Sequence, residues 1–465
     1  MPLHFSTTHS KPKPSINLRS GWLRGTLFAT ALSFVITAAP VLAATDDIKA
    51  ANFLLDNGME VVVIPDHRAP IVTHMVWYKI GSADEPPGKS GIAYLIEHLM
   101  FKATTNHAAG AFDRAVSAIG GSNSAFTSHD YTAFYETVVP QALEQVMDFE
   151  ADRMRNLVLT DDVIATERDV ILEDRRSRID SDPQALLGHK VDATLEPNQP
   201  HRIPVIGWMH EMEKLNRADA KAFYDKYYTP NNAVLVVAGD VEPQVVKTLA
   251  EKTYSKIARG PDLPPRTRPV GPEQNTRRTV TLADARVSVP NFSMLWVVPS
   301  YHTAKPGEAE ALALLAEILG GGSRSRLYQE LVVKQGIAAE AGADFQGTVL
   351  DATNFTVYGV PRGDAKLADV QAAVEVEVAR IAKDGVSSGE LEKAKDRFVR
   401  SMSFARGKQD SMANIYGATL ATGGSVRDVE EWPDRIRKVT ADEVRDVATR
   451  YLNLDHSTTI LPKDD

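Results

Sequence analysis

The side chains of this chain best suited to catalysis or metal binding lie close together, within residues 91–102. Glu97 directly precedes His98, and Tyr94 lies four residues before the histidine. Because residues four apart share one face of an α-helix, Tyr94 and His98 can approach one ion together. A bound metal lowers the pKa of a coordinated water, and the carboxylate of Glu97 could then accept the water's proton. Taken alone, a Glu-His pair on a helix is more often a solvated surface pair or a core histidine.

The segment that carries these residues has the spacing of a helix packed against a core. Its apolar residues recur at helical intervals: Ile92, Leu95, Ile96, Leu99 and Met100. A run of β-branched and aromatic residues at 71–80 predicts a strand before it. The same patterns predict a hairpin over 53–65, helices over 143–157, 161–178 and 217–228, and a buried strand over 232–237. Helices and strands are mixed without strict alternation, which favours an α+β fold.

The second half of the chain repeats features of the first. A strand-like run at 75–77, Met-Val-Trp, is matched by Met-Leu-Trp at 294–296, and a turn and a long helical pattern follow each. Near the ends of the halves, residues 215–237 resemble residues 439–461 at nearly the same offset. Similar offsets at both ends indicate a duplicated domain.

The boundary between the repeats is marked by composition. Residues 258–275 are rich in Pro and Arg and show no periodicity, which predicts an extended linker. The predicted architecture is therefore two duplicated mixed α/β domains, 44–257 and 276–465, joined by this Pro-rich linker.

Residues 1–43 have the organisation of a secretory signal peptide. The basic residues come first: Lys11, Lys13, Arg19 and Arg24. The apolar run at 26–39 is too short to span a bilayer, and Val-Leu-Ala at 41–43 suits signal peptidase. We therefore predict an exported protein, periplasmic in a bacterium. If this segment were not cleaved, it would anchor the chain in the membrane; no other run is long enough to cross a bilayer.

The composition excludes several classes of protein. The chain has 465 residues, 24% of them charged, which is typical of a globular protein long enough for two domains. It contains no cysteine, which excludes disulfides, thiolate metal sites and cysteine nucleophiles. Its net charge of −9 argues against a nucleic-acid-binding surface.

Residues 91–102, Gly-Ile-Ala-Tyr-Leu-Ile-Glu-His-Leu-Met-Phe-Lys, resemble the motif helix of the pitrilysin and mitochondrial-processing-peptidase family of zinc metallopeptidases, the inverted zincins. Further stretches resemble the same family in order: Asn57-Gly58, 120–123 with Thr127 and Asp130, 167–174, 230–232 and 320–327. The resemblance covers nearly the whole chain after the signal segment. It implies two halves that face each other as a clamshell, with Zn²⁺ as cofactor and peptides or unfolded protein segments as substrate.

The resemblance also implies roles for individual residues. Glu97 matches the family's general base, and His98 matches its second histidine ligand. Asp174 matches the third metal ligand, which is a Glu in the family, and Glu167 matches a supporting acidic residue. A shift of one residue would offer Glu173 instead, but its side chain would point about 100° away around the helix.

Two of the three ligand positions depart from the family pattern. Asp174 has a shorter arm than Glu but can still bind zinc. Tyr94 stands where the family has its first histidine, and a neutral phenol with a pKa near 10 is a poor zinc ligand. One alternative is a site formed by tyrosinate with His98 and Asp174, since a bound cation could lower the phenol's pKa. Recruitment of His129 or His107 is a further alternative.

The second half lacks a pair of residues that active single-chain and homodimeric members carry. In those members an Arg and, seven residues later, a Tyr position the scissile carbonyl, and the matching positions here are Val332 and Ala339. In the family this division is typical of heterodimers. The chain therefore resembles the metal-motif subunit of a dimer whose related partner carries the Arg/Tyr pair. Val332 and Ala339 are also compatible with simple packing.

Residues 120–139 predict a turn followed by strand. In the family the corresponding edge strand receives substrate by β-augmentation, in which backbone pairing tolerates many sequences. The resemblance therefore makes Asn123, Ala125 and Phe126 the candidates for substrate contact. The alternative is an ordinary strand of the sheet.

The residues and the resemblance support two functional hypotheses. The first is an exported zinc-dependent endopeptidase, with Glu97 as base and His98 and Asp174 as ligands. The second is a catalytically inactive member of the family that binds peptides or completes a partner's chamber. A small-molecule enzyme unrelated to proteolysis has no motif behind it.

Overall fold

The structure is a computed structural model that describes residues 49–195, 198–287, 289–405 and 407–463. Within these residues the chain forms two mixed β-sheets, one from each half, with helices between the strands. The strands are β1 (Ala51–Leu54), β2 (Glu60–Pro65), β3 (Val72–Tyr78), β4 (Ser122–Thr127), β5 (Thr132–Val138), β6 (Ala233–Gly239), β7 (Arg278–Ala283), β8 (Phe292–Val298), β9 (Ala338–Phe345), β10 (Thr353–Pro361) and β11 (Thr458–Lys463).

The helices of the first half carry the candidate site and most of its support. They are α1 (Ile92–Leu99), α2 (Ala111–Ala118), α3 (Leu143–Arg155), α4 (Asp161–Arg175), α5 (Pro183–Leu195), α6 (Met209–Met212), α7 (Arg217–Tyr227) and α8 (Pro243–Lys252). The helices of the second half are α9 (Glu308–Gly320), α10 (Leu367–Asp384), α11 (Ser388–Ala405), α12 (Gln409–Ala421), α13 (Val426–Lys438) and α14 (Ala441–Tyr451). The mixed α/β architecture predicted from the sequence is confirmed.

The strand order shows the duplication directly. The first sheet runs β1-β2-β6-β3-β5-β4 and the second runs β7-β11-β8-β10-β9. In each sheet one pair is parallel, β2 with β6 and β7 with β11, and the other pairs are antiparallel. With β1 set aside, the two orders correspond strand for strand, and the matched Met-Val-Trp and Met-Leu-Trp runs lie in β3 and β8.

The predicted helix over 161–178 differs from the observed one at its C-terminal end. The α-helix ends at Arg175, and Arg176–Asp180 continue as a wider π-helical segment. Pro183 follows closely, and its ring disfavours a helical conformation at the preceding residue. The change of helix type alters the direction in which Arg178 projects.

Each sheet is covered in part by a helix from the other half. Helix α5 of the first half packs on β7 and β11 of the second sheet. Its residues Leu187, Val191 and Leu195 form one buried cluster with Leu295 of β8. Helix α12 of the second half packs in turn on β3 and β6 of the first sheet. The two halves therefore share their cores.

The main core of the first half lies between its sheet and the helices that carry the site. It includes Val76 of β3, Leu95 and Leu99 of α1, and Ile171 of α4. These contacts exclude water from one side of α1 and leave its polar side chains on the other, so the amphipathic pattern fixes how the helix is rotated.

Residues 258–275 form neither helix nor strand. The predicted signal segment, 1–43, lies outside the described residues. Among the helices that the structure describes, none is both long enough and apolar enough to cross a bilayer.

Candidate functional site

The start of α1 is held tightly. Gly91 adopts φ 87°, a left-handed conformation that glycine accepts readily. A Cβ at this position would lie 2.6 Å from the carbonyl oxygen of Ile206. The carboxylate of Glu85 accepts hydrogen bonds from the backbone N–H groups of Gly91 (2.9 Å) and Ala93 (2.8 Å). The first free N–H groups of the helix are thereby satisfied, which fixes its position.

Helix α1 presents its polar residues to α4. The rings of Tyr94 and His98 lie 4.8 Å apart on the same face, and both side chains are half-buried. Glu97 is more deeply buried, with 9% of its surface exposed. Helix α4 packs beside α1 and contributes Glu167 and Asp174.

The predicted site residues of the two helices come together. The Tyr94 hydroxyl donates a hydrogen bond to Asp174 Oδ2 at 2.9 Å. His98 Nε2 lies 3.9 Å from the same oxygen, and His98 Nδ1 lies 3.6 Å from Glu167 Oε2. Glu173 points away from this cluster, because its side chain is 70% exposed and pairs with Arg176. The helix register therefore places Asp174, and not Glu173, at the site.

Glu97 is held by a residue of β4. The Thr127 hydroxyl donates a hydrogen bond to Glu97 Oε2 at 2.5 Å. Burial raises the pKa of Glu97 to about 7, although the Thr127 hydrogen bond and the charge of Arg178 act in the opposite direction. A carboxyl group with this pKa can exchange a proton near neutral pH.

Burial also determines the protonation of the neighbouring rings. It lowers the pKa of His98, against the opposing charges of Glu167 and Asp174, so the imidazole is neutral at pH 7. It raises the pKa of Tyr94, and the hydrogen bond to Asp174 raises it further. Tyr94 is therefore a protonated phenol in this arrangement.

Three residues near the site were not predicted as site residues. Thr127 holds Glu97, Lys102 Nζ lies 2.7 Å from Glu167 Oε1, and Arg178 Nη2 lies 3.5 Å from Asp174 Oδ2. Lys102 follows His98 by four residues, and that spacing was a usable signal. Arg178 gave no such signal, because its direction depends on the π-helical segment.

The side chains as arranged do not fit a three-ligand zinc site. At the predicted ligand positions they offer one neutral imidazole, from His98, and one carboxylate, from Asp174, whose Oδ2 already accepts a hydrogen bond from Tyr94. The neighbouring carboxylate of Glu167 is paired with Lys102. A catalytic zinc site has three protein ligands and a water, and a protonated phenol has no negative charge with which to bind the ion. The two proposed substitutes lie elsewhere: His129 Nε2 is 3.2 Å from the carbonyl oxygen of Ile203, and His107 Nε2 is 3.8 Å from Asp152. Recruitment of His129 or His107 is therefore not observed.

One other group of side chains has metal-like spacing. Among the described residues, Asp130, His201 and Asp351 alone form a group of three potential ligands whose donor atoms all lie within 4.8 Å of one another. The guanidinium of Arg268 already lies among them, 2.8 Å from Asp351 Oδ2. This place is thus filled by a protein cation.

Strand β4 is an edge of the first sheet and pairs with β5. Ala125 packs against the core on the side of α1, while the Asn123 side chain donates a hydrogen bond to Asp113 Oδ1 at 2.7 Å. Phe126 points to the opposite face, because successive strand residues alternate, and its ring lies 5.3 Å from that of Trp77. The side chain of Phe126 therefore does not face α1, and only its backbone lies on the candidate binding edge.

Comparison with known proteins identifies relatives along most of the chain. The family model described as Insulinase (Peptidase family M16) matches residues 60–207, and the model described as Peptidase M16 inactive domain matches residues 214–398. The zinc protease PqqE of Helicobacter pylori is 28% identical over 428 residues, covering 89% of this chain and 93% of that protein. An uncharacterized zinc protease of Mycobacterium leprae is 29% identical over 420 residues, covering 88% and 90%.

Solved structures share the fold. A protease from Helicobacter pylori superposes with a TM-score of 0.83 at 28% identity, covering 89% of this chain and 99% of that chain. The first half of the periplasmic protease PqqL from Escherichia coli gives 0.77 at 19% identity, covering 90% and 92%. Family models match both halves, relatives extend along most of the chain, and the fold is shared. The chain therefore belongs to peptidase family M16, the pitrilysin family, and is homologous to zinc proteases of the PqqE type.

Proposed function

We propose that this chain is a non-catalytic, peptide-binding member of the M16 family. It binds extended peptides or unfolded protein segments along the edge of its first sheet. It works beside a related subunit and does not cleave peptides by itself. This role corresponds to the inactive alternative of the sequence analysis.

The observation that carries this proposal is the hydrogen bond between Tyr94 and Asp174. The phenol donates a hydrogen bond to Asp174 Oδ2 at 2.9 Å, at the position where the resemblance places a metal-binding histidine. To bind the phenol oxygen, a zinc ion would have to displace the hydroxyl proton of a half-buried phenol whose pKa is raised by desolvation and by the same carboxylate. The remaining pair, His98 and Asp174, would be an open and weak two-ligand site.

Peptide binding rests on β4 and its position beside α1. The strand ends at Thr127, which contacts Glu97, so a peptide paired with β4 would run past α1. Backbone pairing with an exposed edge binds many sequences, which suits unfolded segments. Val332 and Ala339 replace the Arg and Tyr that would position a scissile bond. The absence of this Arg and Tyr does not affect backbone pairing of a peptide along β4.

The first experiment measures zinc and peptide separately. Purified protein, dialysed against metal-free buffer, should contain nearly no zinc but should bind a fluorescein-labelled unstructured peptide. The same peptide with N-methylated backbone should bind much more weakly, because methylation removes the hydrogen-bond donors that pairing with β4 needs. About one zinc per chain, or equal binding of both peptides, would contradict the proposal.

A matched variant tests the explanation for missing zinc. Tyr94→His replaces the phenol with an imidazole and should raise zinc affinity, and together with a related subunit that carries the Arg/Tyr pair it should cleave peptides. Tyr94→His with Glu97→Gln should bind zinc equally well but cleave nothing, since the general base is gone. If Tyr94→His binds zinc no better than the wild type, the assignment of this position is wrong.

A second candidate function is a zinc endopeptidase that uses tyrosinate as its third ligand. Glu97 favours this second function, because the chain retains the carboxyl group at the position of the general base. The Thr127 hydroxyl donates a hydrogen bond to this carboxyl group, and burial raises its pKa to about 7. The named relatives are also zinc proteases. A tyrosinate–metal bond would give the wild type about one zinc and a lowered phenol pKa in ultraviolet difference titration. The Tyr94→Phe variant would then lose the metal.

Export to the periplasm belongs to the same proposal. The segment 1–43 has the composition of a signal peptide, and PqqL of Escherichia coli, which shares the fold, is described as a periplasmic protease. Mass spectrometry of the protein from a bacterial periplasmic extract should show an N-terminus just after Ala43. A full-length chain in the membrane fraction would instead indicate an uncleaved anchor.

A further inference from the structure

A buried charge cluster joins the two halves at the linker residue Arg268. Its guanidinium donates hydrogen bonds to Asp84 Oδ1 (2.8 Å), Asp130 Oδ1 (2.5 Å) and Asp351 Oδ2 (2.8 Å). His201 Nε2 lies 3.4 Å from Arg268 Nη1. The Arg268 side chain is only 4% exposed, so these charges interact with little screening by water.

Of the three aspartates, Asp130 of the first half and Asp351 of the second occupy equivalent positions in the two sheets. Asp130 begins the sequence Asp-Tyr-Thr-Ala-Phe at the start of β5, and Asp351 begins Asp-Ala-Thr-Asn-Phe at the start of β10. Strands β5 and β10 correspond in the two sheets. The backbone N–H of Leu350 also donates to Asp130 Oδ2 at 2.9 Å, so the two turns touch directly. One arginine from the linker thus pairs with the duplicated acid of both halves.

The cluster lies at one end of both edge strands. Strand β4 ends just before the turn that carries Asp130, and β9 ends just before the turn that carries Asp351. Whatever holds these turns together sets the separation of β4 and β9 at this end. Arg266, two residues earlier in the linker, adds hydrogen bonds at 2.6 Å to the carbonyl oxygens of Asp130 and Ala421.

We propose that Arg268 is an internal cation that locks the two halves at a fixed separation, in a ligand set that a divalent metal ion could otherwise occupy. Without the guanidinium, the buried carboxylate of Asp130 and the partly buried carboxylates of Asp84 and Asp351 would face one another without the positive charge that now lies among them. The donors that remain, Asp130, His201 and Asp351, lie within 4.8 Å of each other. Carboxylate oxygen with imidazole nitrogen is a donor set that Zn²⁺ and Mn²⁺ accept.

The lock can be tested by measuring the distance between the halves. The chain has no cysteine, so Val245→Cys on α8 and Val376→Cys on α10, both exposed, provide two spin-label sites without background. Double electron–electron resonance should show one narrow distribution of distances between the two spin labels in the otherwise wild-type protein. Adding Arg268→Ala should broaden this distribution or shift it to longer distances. It should also lower the melting temperature by about 5 °C or more. An unchanged distribution and melting temperature would overturn the proposal.

Metal rescue distinguishes a cation site from general loss of packing. Zn²⁺ or Mn²⁺ should restore the melting temperature and the narrow distribution of Arg268→Ala, but not of Arg268→Ala with Asp351→Asn. Arg277→Ala is the matched control, since Arg277 pairs with Glu375 on the surface of the second half, and it should leave both readouts unchanged. If Arg268→Ala is destabilised but neither ion rescues it, the ligand-set part of the proposal is wrong.

Discussion

At the scale of single residues, Tyr94 reverses the chemistry of its position. A histidine there would offer a lone pair to an ion, whereas the phenol offers a proton to Asp174. The same oxygen that would bind a metal becomes a hydrogen-bond acceptor. The contact between α1 and α4 is then stabilised by a neutral donor and an anion, and needs no metal.

Removing the phenol hydroxyl should weaken that contact. Tyr94→Phe leaves Asp174 half-buried without its donor, so we expect the free energy of unfolding to fall by about 1 kcal/mol. Urea unfolding followed by circular dichroism measures this change. Tyr227→Phe, another half-buried tyrosine, should change the unfolding free energy by much less. Equal effects of the two substitutions would mean that the bond to Asp174 contributes nothing specific.

Chelation provides a second test at this scale. Because the Tyr94–Asp174 hydrogen bond and the packed core join α1 and α4 without a metal, EDTA should not change the melting temperature of the wild type. It should lower the melting temperature of Tyr94→His loaded with zinc, in which the metal would replace that bond. A clear loss of wild-type stability in EDTA would show that a metal supports the fold.

The sequence indicated which residues lie together at the candidate site better than it indicated the contacts that they make. Spacing brought Tyr94 and His98 onto one helix face, and the resemblance placed Asp174 beside them. The Thr127–Glu97 hydrogen bond could not be predicted, because it depends on how β4 packs against α1. The direction of the Phe126 side chain could not be predicted for a related reason, since the face on which a strand residue lies is set by the strand's register in the sheet.

At the scale of elements, helices α5 and α12 each pack on the sheet of the opposite half. No local sequence pattern predicts this packing. Periodicity predicted that α3, α4 and α7 exist, but it does not say which sheet a helix covers. Helix α12 covers β3 with a glycine, Gly417, where a Cβ would lie 2.0 Å from Trp77 Cε2. Close approach at this point lets α12 lie flat on the first sheet.

A side chain at this position should separate α12 from the sheet. Gly417→Val forces its branched side chain into the indole of Trp77, and we expect a loss of about 3 kcal/mol in the free energy of unfolding. Denaturant unfolding of the purified variant measures the loss. Gly389→Val, in α11, is the control, because nothing lies within 4 Å of a Cβ there. If both variants lose the same amount, crowding against Trp77 is not the cause.

Helix α5 carries a group that should make its docking depend on pH. Burial raises the pKa of Asp192 to about 6, although the nearby charge of His201 lowers it. The folded state therefore binds this proton more tightly than the unfolded state, whose pKa is near 4. Stability from this group is fully present below about pH 4 and decreases as the pH rises to about 6.

Replacing the acid removes that dependence. Asp192→Asn should raise the free energy of unfolding at pH 7 by about 1–2 kcal/mol and leave it nearly unchanged at pH 4. Asp169→Asn, an exposed acid of α4, should show no such difference between the two pH values. Unfolding curves at both pH values test this, and an equal change at both would rule out a buried proton as the cause.

At the scale of the whole molecule, the two halves were recognised from the sequence as repeats, and the strand orders agree. What the sequence did not predict is that the repeats share their cores through α5 and α12. These contacts join residues that are far apart in the chain, so the local sequence cannot predict them. The linker likewise reads as a spacer, yet Arg268 is one of the most buried cations of the region that the structure describes.

Separate production of the halves should show this dependence. Fragments 44–262 and 263–465, each produced alone, should be poorly folded, because each lacks the helix that covers its sheet. Mixed during refolding, they should form a complex with the near-ultraviolet circular dichroism of the intact chain. Independent folding of either fragment with native-like spectra would contradict a shared core.

The packing of α5 and α12 on the opposite sheets also constrains how this chain could recombine with its relatives. A chimaera made by crossover in the linker would join a half from this chain to a half from a relative, and each foreign helix would then cover a sheet it was not selected to fit. Trp77 and Gly417, from opposite ends of the gene, have to be inherited as a pair. Compatible crossovers would have to transfer α5 or α12 with the sheet it covers, although these lie far apart in the DNA.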